Sequence, residues 1–192
     1  MPKLVKHLGI TLLSALLAAC DGKKNDNNAA EHAASQNMSI TESASQSISL
    51  LSGNIKFTLP ADMHDKSRKV GSQSNNMHVY ANDDGQRAVI MILGDSSNEN
   101  LPVLAQRLED HQRARDANLQ VLTNKSIEIN GHVLQQLDSI SNSGSSGNQV
   151  YSSLLLGKVA NQLLTMQITL LADNQQLAKS EAANIIHTLT LK

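Results

Sequence analysis

The 192-residue chain has no tryptophan, one phenylalanine, two tyrosines, three prolines and a single cysteine. So few aromatics leave no surface on which bases or sugar rings could stack, which argues against a single-stranded nucleic-acid binder. One cysteine excludes an internal disulfide framework and a thiolate zinc site. Charge of either sign is also scarce: sixteen Lys+Arg against seventeen Asp+Glu give a net of -1. That balance excludes a strongly basic nucleic-acid partner and a polyacidic tail. Long apolar runs are missing as well. The longest stretch, Leu8 to Ala19, is interrupted by Gly9, Thr11 and Ser14, and falls short of the ~20 residues a spanning helix needs.

What is present at the N-terminus sets the compartment. Lys3 and Lys6 precede the apolar run, which ends in Leu17-Ala18-Ala19-Cys20. A short positive region, an apolar core and small residues before the cut are the parts of a secretory signal. With the only cysteine placed directly after them, the pattern resembles the bacterial lipobox, in which Cys20 is diacylated and becomes the first mature residue. An ordinary signal with an incidental cysteine is the alternative. A sulfur used as a thioether cannot also act as a nucleophile, so acylation removes cysteine catalysis. Cleavage takes away Lys3 and Lys6 and no acid, so sixteen basic residues become 14 against 17 acidic ones, a net of -3. Nothing polybasic is left to hold an anionic membrane, and acyl chains must supply the anchor. Asp21 follows the cysteine directly; in lipoproteins of enteric-type bacteria an aspartate there is associated with retention in the inner membrane.

Three segments follow: a signal over residues 1–19, the lipidated cysteine and a linker over 20–47, and a globular domain over 48–192. The linker is Asn-, Ser-, Ala-, Gln- and Lys-rich, with Met38 and Ile40 as its only large apolar side chains. It buries too little to offset its ordering entropy and is expected to be a disordered tether spanning about 30 Å as a coil.

The domain reads as strands, helix, strands, helix. Ile55, Phe57 and Leu59 alternate up to Pro60, and Met77–Tyr80 forms a second short strand. After the turn signal Asn82-Asp83-Asp84-Gly85, Ala88–Leu93 is apolar on both faces, as a doubly covered central strand would be. Gly94–Asn98 is expected to be a loop, with Ser97 or Asn98 capping the next helix. In that helix Leu101, Leu104, Ala105 and Leu108 share a face, Pro102 sits in the first turn, and Arg107, Glu109, Asp110, Arg113 and Arg115 supply a solvated side. Ile127–Ile129 meets Asn130-Gly131, the strongest short hairpin signal, and His132–Ile140 returns. Ser141–Gly147 is a loop, Val150–Leu156 a strand closed by Gly157, and Leu164–Leu170 a long alternating strand. Asp173 with Gln176 is expected to cap a last helix whose buried face is Ala178, Ala182, Ile185, Ile186 and Leu189. The order implies α+β architecture, a largely antiparallel sheet with helices packed on it.

Signals for chemistry are weak. Gly94-Asp95-Ser96 occurs in hydrolase signatures, and His64, His78, His111, His132 and His187 could in principle serve as a base, but nothing around Ser96 resembles a nucleophile elbow. The histidines lack metal-ligand spacing; His111 and His187 suit helix C-termini. Asp83 and Asp84 lack the longer calcium-loop pattern. No phosphate-cradling glycine loop or dinucleotide fingerprint occurs.

The stretches Leu59-Pro60-Ala61-Asp62-Met63, Asn75-Asn76-Met77-His78-Val79, Arg107-Leu108-Glu109-Asp110, Gln135–Ile140 and Asn161–Leu170 resemble the DcrB family of enterobacterial envelope lipoproteins. The resemblance runs from the signal to the last helix. It implies a PsbP-like α/β/α sandwich, a lipid-anchored protein of the inner membrane with its domain in the periplasm, and a role in envelope homeostasis and in adsorption of certain bacteriophages. The family carries no catalytic residue set, so the expectation is a non-enzyme with no cofactor, no metal and no nucleic-acid partner. Its expected contacts are the membrane, through Cys20, and an envelope protein. The alternative is a periplasmic carrier of an apolar ligand, with a pocket between sheet and helix; a hydrolase ranks third.

Overall fold

The computed structural model describes residues 44–68, 76–96, 98–142 and 147–192. Cys20, Asp21, Ser97 and the middle of the Ser141–Gly147 loop lie outside them.

The chain enters as β1 (Ser45–Leu50), makes a tight turn over Leu51–Gly53 and returns as β2 (Ile55–Pro60). The two strands pair antiparallel, with Ile48 opposite Phe57. β1 therefore begins at Ser45, three residues before the boundary expected from composition. Ser45–Ser47 are held by the backbone ladder to Thr58–Pro60, and the Gln46 side chain donates to the carbonyls of Pro60 and Met63. Ladder bonds leave no trace in side-chain hydropathy.

The principal sheet is built from β3 (His64–Asp65), β4 (Met77–Ala81), β5 (Arg87–Asp95), β6 (Gln120–Ile129), β7 (His132–Asn142), β8 (Gln149–Val159) and β9 (Gln162–Leu171). Their spatial order is β3-β4-β5-β9-β8-β7-β6, and every neighbouring pair is antiparallel. Helix α1 (Leu101–Arg115) connects β5 to β6, and α2 (Gln175–His187) follows β9. A final short strand, β10 (Thr190–Leu191), joins the free side of β2, so that β1, β2 and β10 form a small second sheet.

Strand alternation sends side chains to two cores. On one face Val89, Met91 and Leu93, Leu134 and Ile140, Tyr151, Leu155 and Val159, and Leu164 to Leu170 in steps of two meet Ala178, Ala182, Ile185 and Ile186 of α2 and Ile55, Phe57 and Leu59 of β2. Phe57 and Tyr80 contribute an edge-to-face pair, 6.1 Å between centroids and 82° between planes. On the opposite face Leu137, Leu154 and Leu156 meet Ala105 and Leu108 of α1, with Leu101, Leu104 and Val121 around them. Helices thus cover both faces of an antiparallel sheet, as expected.

Several local expectations change. β5 is central, but Ala88, Ile90 and Ile92 are only half-buried, because α1 lies over β6–β8 rather than over this strand. It also runs through Gly94 and Asp95, which pair with Leu163 and Gln162 and so are not in a loop. Glu109 is buried, not solvated: its carboxylate accepts from Arg113 Nε at 2.9 Å and from Asn124 Nδ2 at 3.2 Å. The caps are Asn100, through its carbonyl to the Val103 and Leu104 N–H groups, and Asn174, whose Oδ1 accepts the Leu177 N–H at 3.0 Å. Gly157 does not close β8. It lies inside the strand opposite Leu134, where a Cβ would come within 3.0 Å of Leu134 Cγ.

Candidate functional site

Asn130 (φ 50°) and Gly131 (φ 80°) form the two-residue turn between β6 and β7, the backbone that Asn-Gly favours. The turn brings Thr123, Lys125, Ile127 and Ile129 of β6 alongside Gln136 and Asp138 of β7, on the face that α2 covers. α2 packs chiefly on β2, β8 and β9, and so leaves the β6–β7 end of that face open. The result is a cleft of about 590 Å³ between the β6–β8 surface and the C-terminal half of α2. Ala183, Ile186 and His187, with Leu189 and Thr190 beyond the helix, form its second wall.

The floor is polar because β7 interrupts its own alternation. Leu134 and Ile140 point into the apolar core, while Gln136 and Asp138 stand between them on the same face. Asp138 is only 3% exposed, and beside it Tyr151 is 1% and Ser153 0% exposed. The carboxylate is held by neutral donors. Ser153 Oγ donates to Oδ1 at 2.6 Å, and Gln136 Nε2 donates to both oxygens at 3.0 Å. The Tyr151 phenol lies close beside it, on the neighbouring strand. Burial, then the negative charge of Asp138, push the Tyr151 phenol well above the ordinary tyrosine range. No cation lies within ion-pair distance of Asp138 among the described residues. Lys125, Lys179 and His187 stand at the rim, exposed.

Chemically the arrangement is suited to binding. Ser153 is wholly enclosed and spends its proton on Asp138, so it presents no nucleophile to the cleft. Gln136, Thr123 and Thr190 offer polar contacts; Ile127, Ile129, Ile186 and Leu189 offer apolar ones.

The residues singled out by sequence lie elsewhere, apart from His132 and His187, which belong to elements bordering the cleft. Ser96 is exposed just beyond β5 and makes no hydrogen bond to a described histidine. His64 and His78 sit on β3 and β4 and His111 on α1. Among the described residues no three His, Cys, Asp or Glu side chains come together as a metal site. Asp84 Oδ1 accepts the Gln86 N–H at 2.9 Å, and Asp83 pairs with Lys66 at 2.9 Å, so that turn is structural. The sequence signal for the cleft is Gln136 and Asp138 between Leu134 and Ile140 on the inward face of β7, with Ser153 between Tyr151 and Leu155 on the next strand.

Comparison with known proteins places this geometry. Among solved structures the chain is similar to cyanobacterial PsbP (CyanoP) from Synechocystis sp. PCC 6803, with a TM-score of 0.59, 10% identity, 82% of this chain and 98% of the other covered. The Saccharomyces cerevisiae Ran-binding protein Mog1p matches with a TM-score of 0.53 and 10% identity, over 77% of this chain and 95% of the other. At such identities the likeness is one of fold. Among the described residues no helix is long and apolar enough to cross a membrane. The DcrB family model matches residues 55–188. A Shigella flexneri protein, "Inner membrane lipoprotein DcrB", is 53% identical over 192 residues, the full length of both chains. The chain belongs to the DcrB family of inner-membrane lipoproteins.

Proposed function

We propose that this protein is a non-enzymatic interaction module of the cell envelope, acylated at Cys20, kept at the inner membrane by Asp21, and holding its domain, from β1 at Ser45 onward, in the periplasm on the tether that precedes it. It supports envelope integrity and homeostasis, serves in adsorption of certain bacteriophages, and engages an envelope protein. The observation that carries this reading is the reach of the similarity: the related lipoprotein matches over its whole length, signal and cysteine region included. Cys20→Ser should abolish palmitate labelling and release the domain from membranes, and Asp21→Ser should shift the protein toward the outer membrane in a density gradient. Deleting the protein should weaken the envelope and reduce sensitivity to phages that depend on it, whereas Ser96→Ala should leave both properties intact. A Ser96→Ala protein that folds normally yet reproduces the deletion would reopen the hydrolase reading.

The cleft favours a second reading, a periplasmic ligand carrier. Its volume of about 590 Å³ exceeds the ~300 Å³ at which small-molecule pockets begin. The polar floor means that only part of such a ligand is apolar. Mass spectrometry of small molecules extracted from the purified protein tests it; the carrier reading predicts one species in stoichiometric amount.

A further inference from the structure

Lys125 reaches the cleft from β6 and Lys179 from α2, one on each wall. Both are exposed, and neither makes an ion pair with a described residue. Two acids border the same space. Asp138 is buried and already accepts from Ser153 and Gln136. Glu128 lies opposite Val133 in the ladder and alternates onto the other face of β6 from Ile127 and Ile129, so its carboxylate does not answer the lysines. His187 adds a third basic group on the α2 wall. Between Lys125 and Lys179 run Ile127, Ile129, Ile186 and Leu189.

We infer that the cleft binds an anion with an apolar body, its phosphate or carboxylate headgroup held between Lys125 and Lys179 and its body laid on Ile127, Ile129 and Ile186. The inference rests on the ligand reading of the cleft and specifies its chemistry. Two like charges facing one cavity repel each other, and an anion between them converts that repulsion into two charge-assisted contacts. Asp138 sets the depth: a buried negative charge on the floor excludes a second one there, so the headgroup stays at the rim. A purely inorganic anion would leave the isoleucine wall wet, and a neutral apolar molecule would leave both lysines unanswered. The headgroup could belong to a membrane lipid or to a soluble phosphate ester; the chemistry is shared.

The test uses the acylated full-length protein in nonionic detergent, with hexyl phosphate as the probe. Lysine reactivity toward an acylating reagent is read by mass spectrometry, and affinity by tyrosine emission, to which only Tyr80 and Tyr151 contribute. Hexyl phosphate should saturably protect Lys125 and Lys179 while Lys158, exposed on β8 away from the cleft, stays reactive. The double variant Lys125→Gln/Lys179→Gln should bind about tenfold more weakly, and the loss should shrink with added salt; Lys158→Gln should bind as the parent does. In nanodiscs, protection by phosphatidylglycerol and not phosphatidylcholine would place the source in the membrane, and protection by hexyl phosphate alone would make it soluble. Equal binding of hexanol or hexyltrimethylammonium would overturn the charge assignment and leave the ligand reading standing. Equal binding of inorganic phosphate would overturn the apolar body. Binding of no probe of any charge would overturn the ligand reading itself.

Discussion

Replacing Asp138 by alanine removes the acceptor of Ser153 and Gln136 at once and leaves the Tyr151 phenol beside an apolar methyl. Ser153 is fully enclosed and has no water to turn to, so its hydroxyl is left unsatisfied. Tyr151 is nearly as enclosed but borders the cleft, and Gln136 is half-buried beside it. An orphaned buried donor costs about 1–3 kcal/mol. Counting Ser153 in full and the other two in part gives a loss of about 2–5 kcal/mol on that scale. Asp138→Asn keeps the shape and one acceptor oxygen, which Ser153 can still use, and the Gln136 amide can reverse to accept from the new nitrogen; about 1–2 kcal/mol is expected. Urea unfolding followed by circular dichroism measures both, with the slope unchanged if only the native contacts are altered. The pairing can be isolated in a double-mutant cycle with Ser153→Ala, whose single cost should largely vanish in the Asp138→Ala background. Loss of less than 1 kcal/mol in Asp138→Ala, or an asparagine variant as damaged as the alanine one, would refute the view that neutral donors hold this carboxylate as an acceptor.

Three further outcomes test the fold around the site. Ala160 holds φ 47° in the β8–β9 turn, a left-handed conformation costing a residue with a Cβ about 1–2 kcal/mol; Ala160→Gly should raise the unfolding free energy by about 1 kcal/mol or less, because glycine also loses more entropy, and the urea midpoint should rise with it. Gly157→Ala should cost about 1–3 kcal/mol by driving a methyl into Leu134, and Leu134→Val should relieve part of that cost. Folding raises the Tyr151 phenol above the ordinary tyrosine range, whereas in the unfolded chain it ionises near the usual value of about 10. The unfolded chain therefore loses its proton first, and stability should be intact below pH 10 and fall as pH rises above it. Tyr151→Phe should flatten that alkaline decline in part, the remainder coming from Tyr80, which burial also raises; an unchanged pH profile would contradict the assignment.

Amino-acid order alone determined the elements whose forces are local. Period-two alternation marked β2 and β9, the i, i+3, i+4 spacing of Leu101, Leu104, Ala105 and Leu108 marked α1, and Asn130-Gly131 marked the hairpin, because side-chain periodicity and positive φ are written in neighbouring residues. The twin turn at Ala160-Asn161 escaped notice because alanine gives no sign of the left-handed backbone it is made to adopt. Pairings between distant segments were decided by the tertiary structure. β10 closes on Ile55 and Lys56 from the far end of the chain, and nothing in a two-residue strand announces its partner. Gly157 read as a terminator until Leu134 was placed against it. Glu109 read as solvent-facing until Asn124 and Arg113 enclosed it. The cleft belongs wholly to this second class. Gln136 and Asp138 look like ordinary polar positions in a line of text; they became a polar floor once Ser153 and Tyr151 came alongside in register and α2, seated on β8 and β9, left that end of the sheet uncovered.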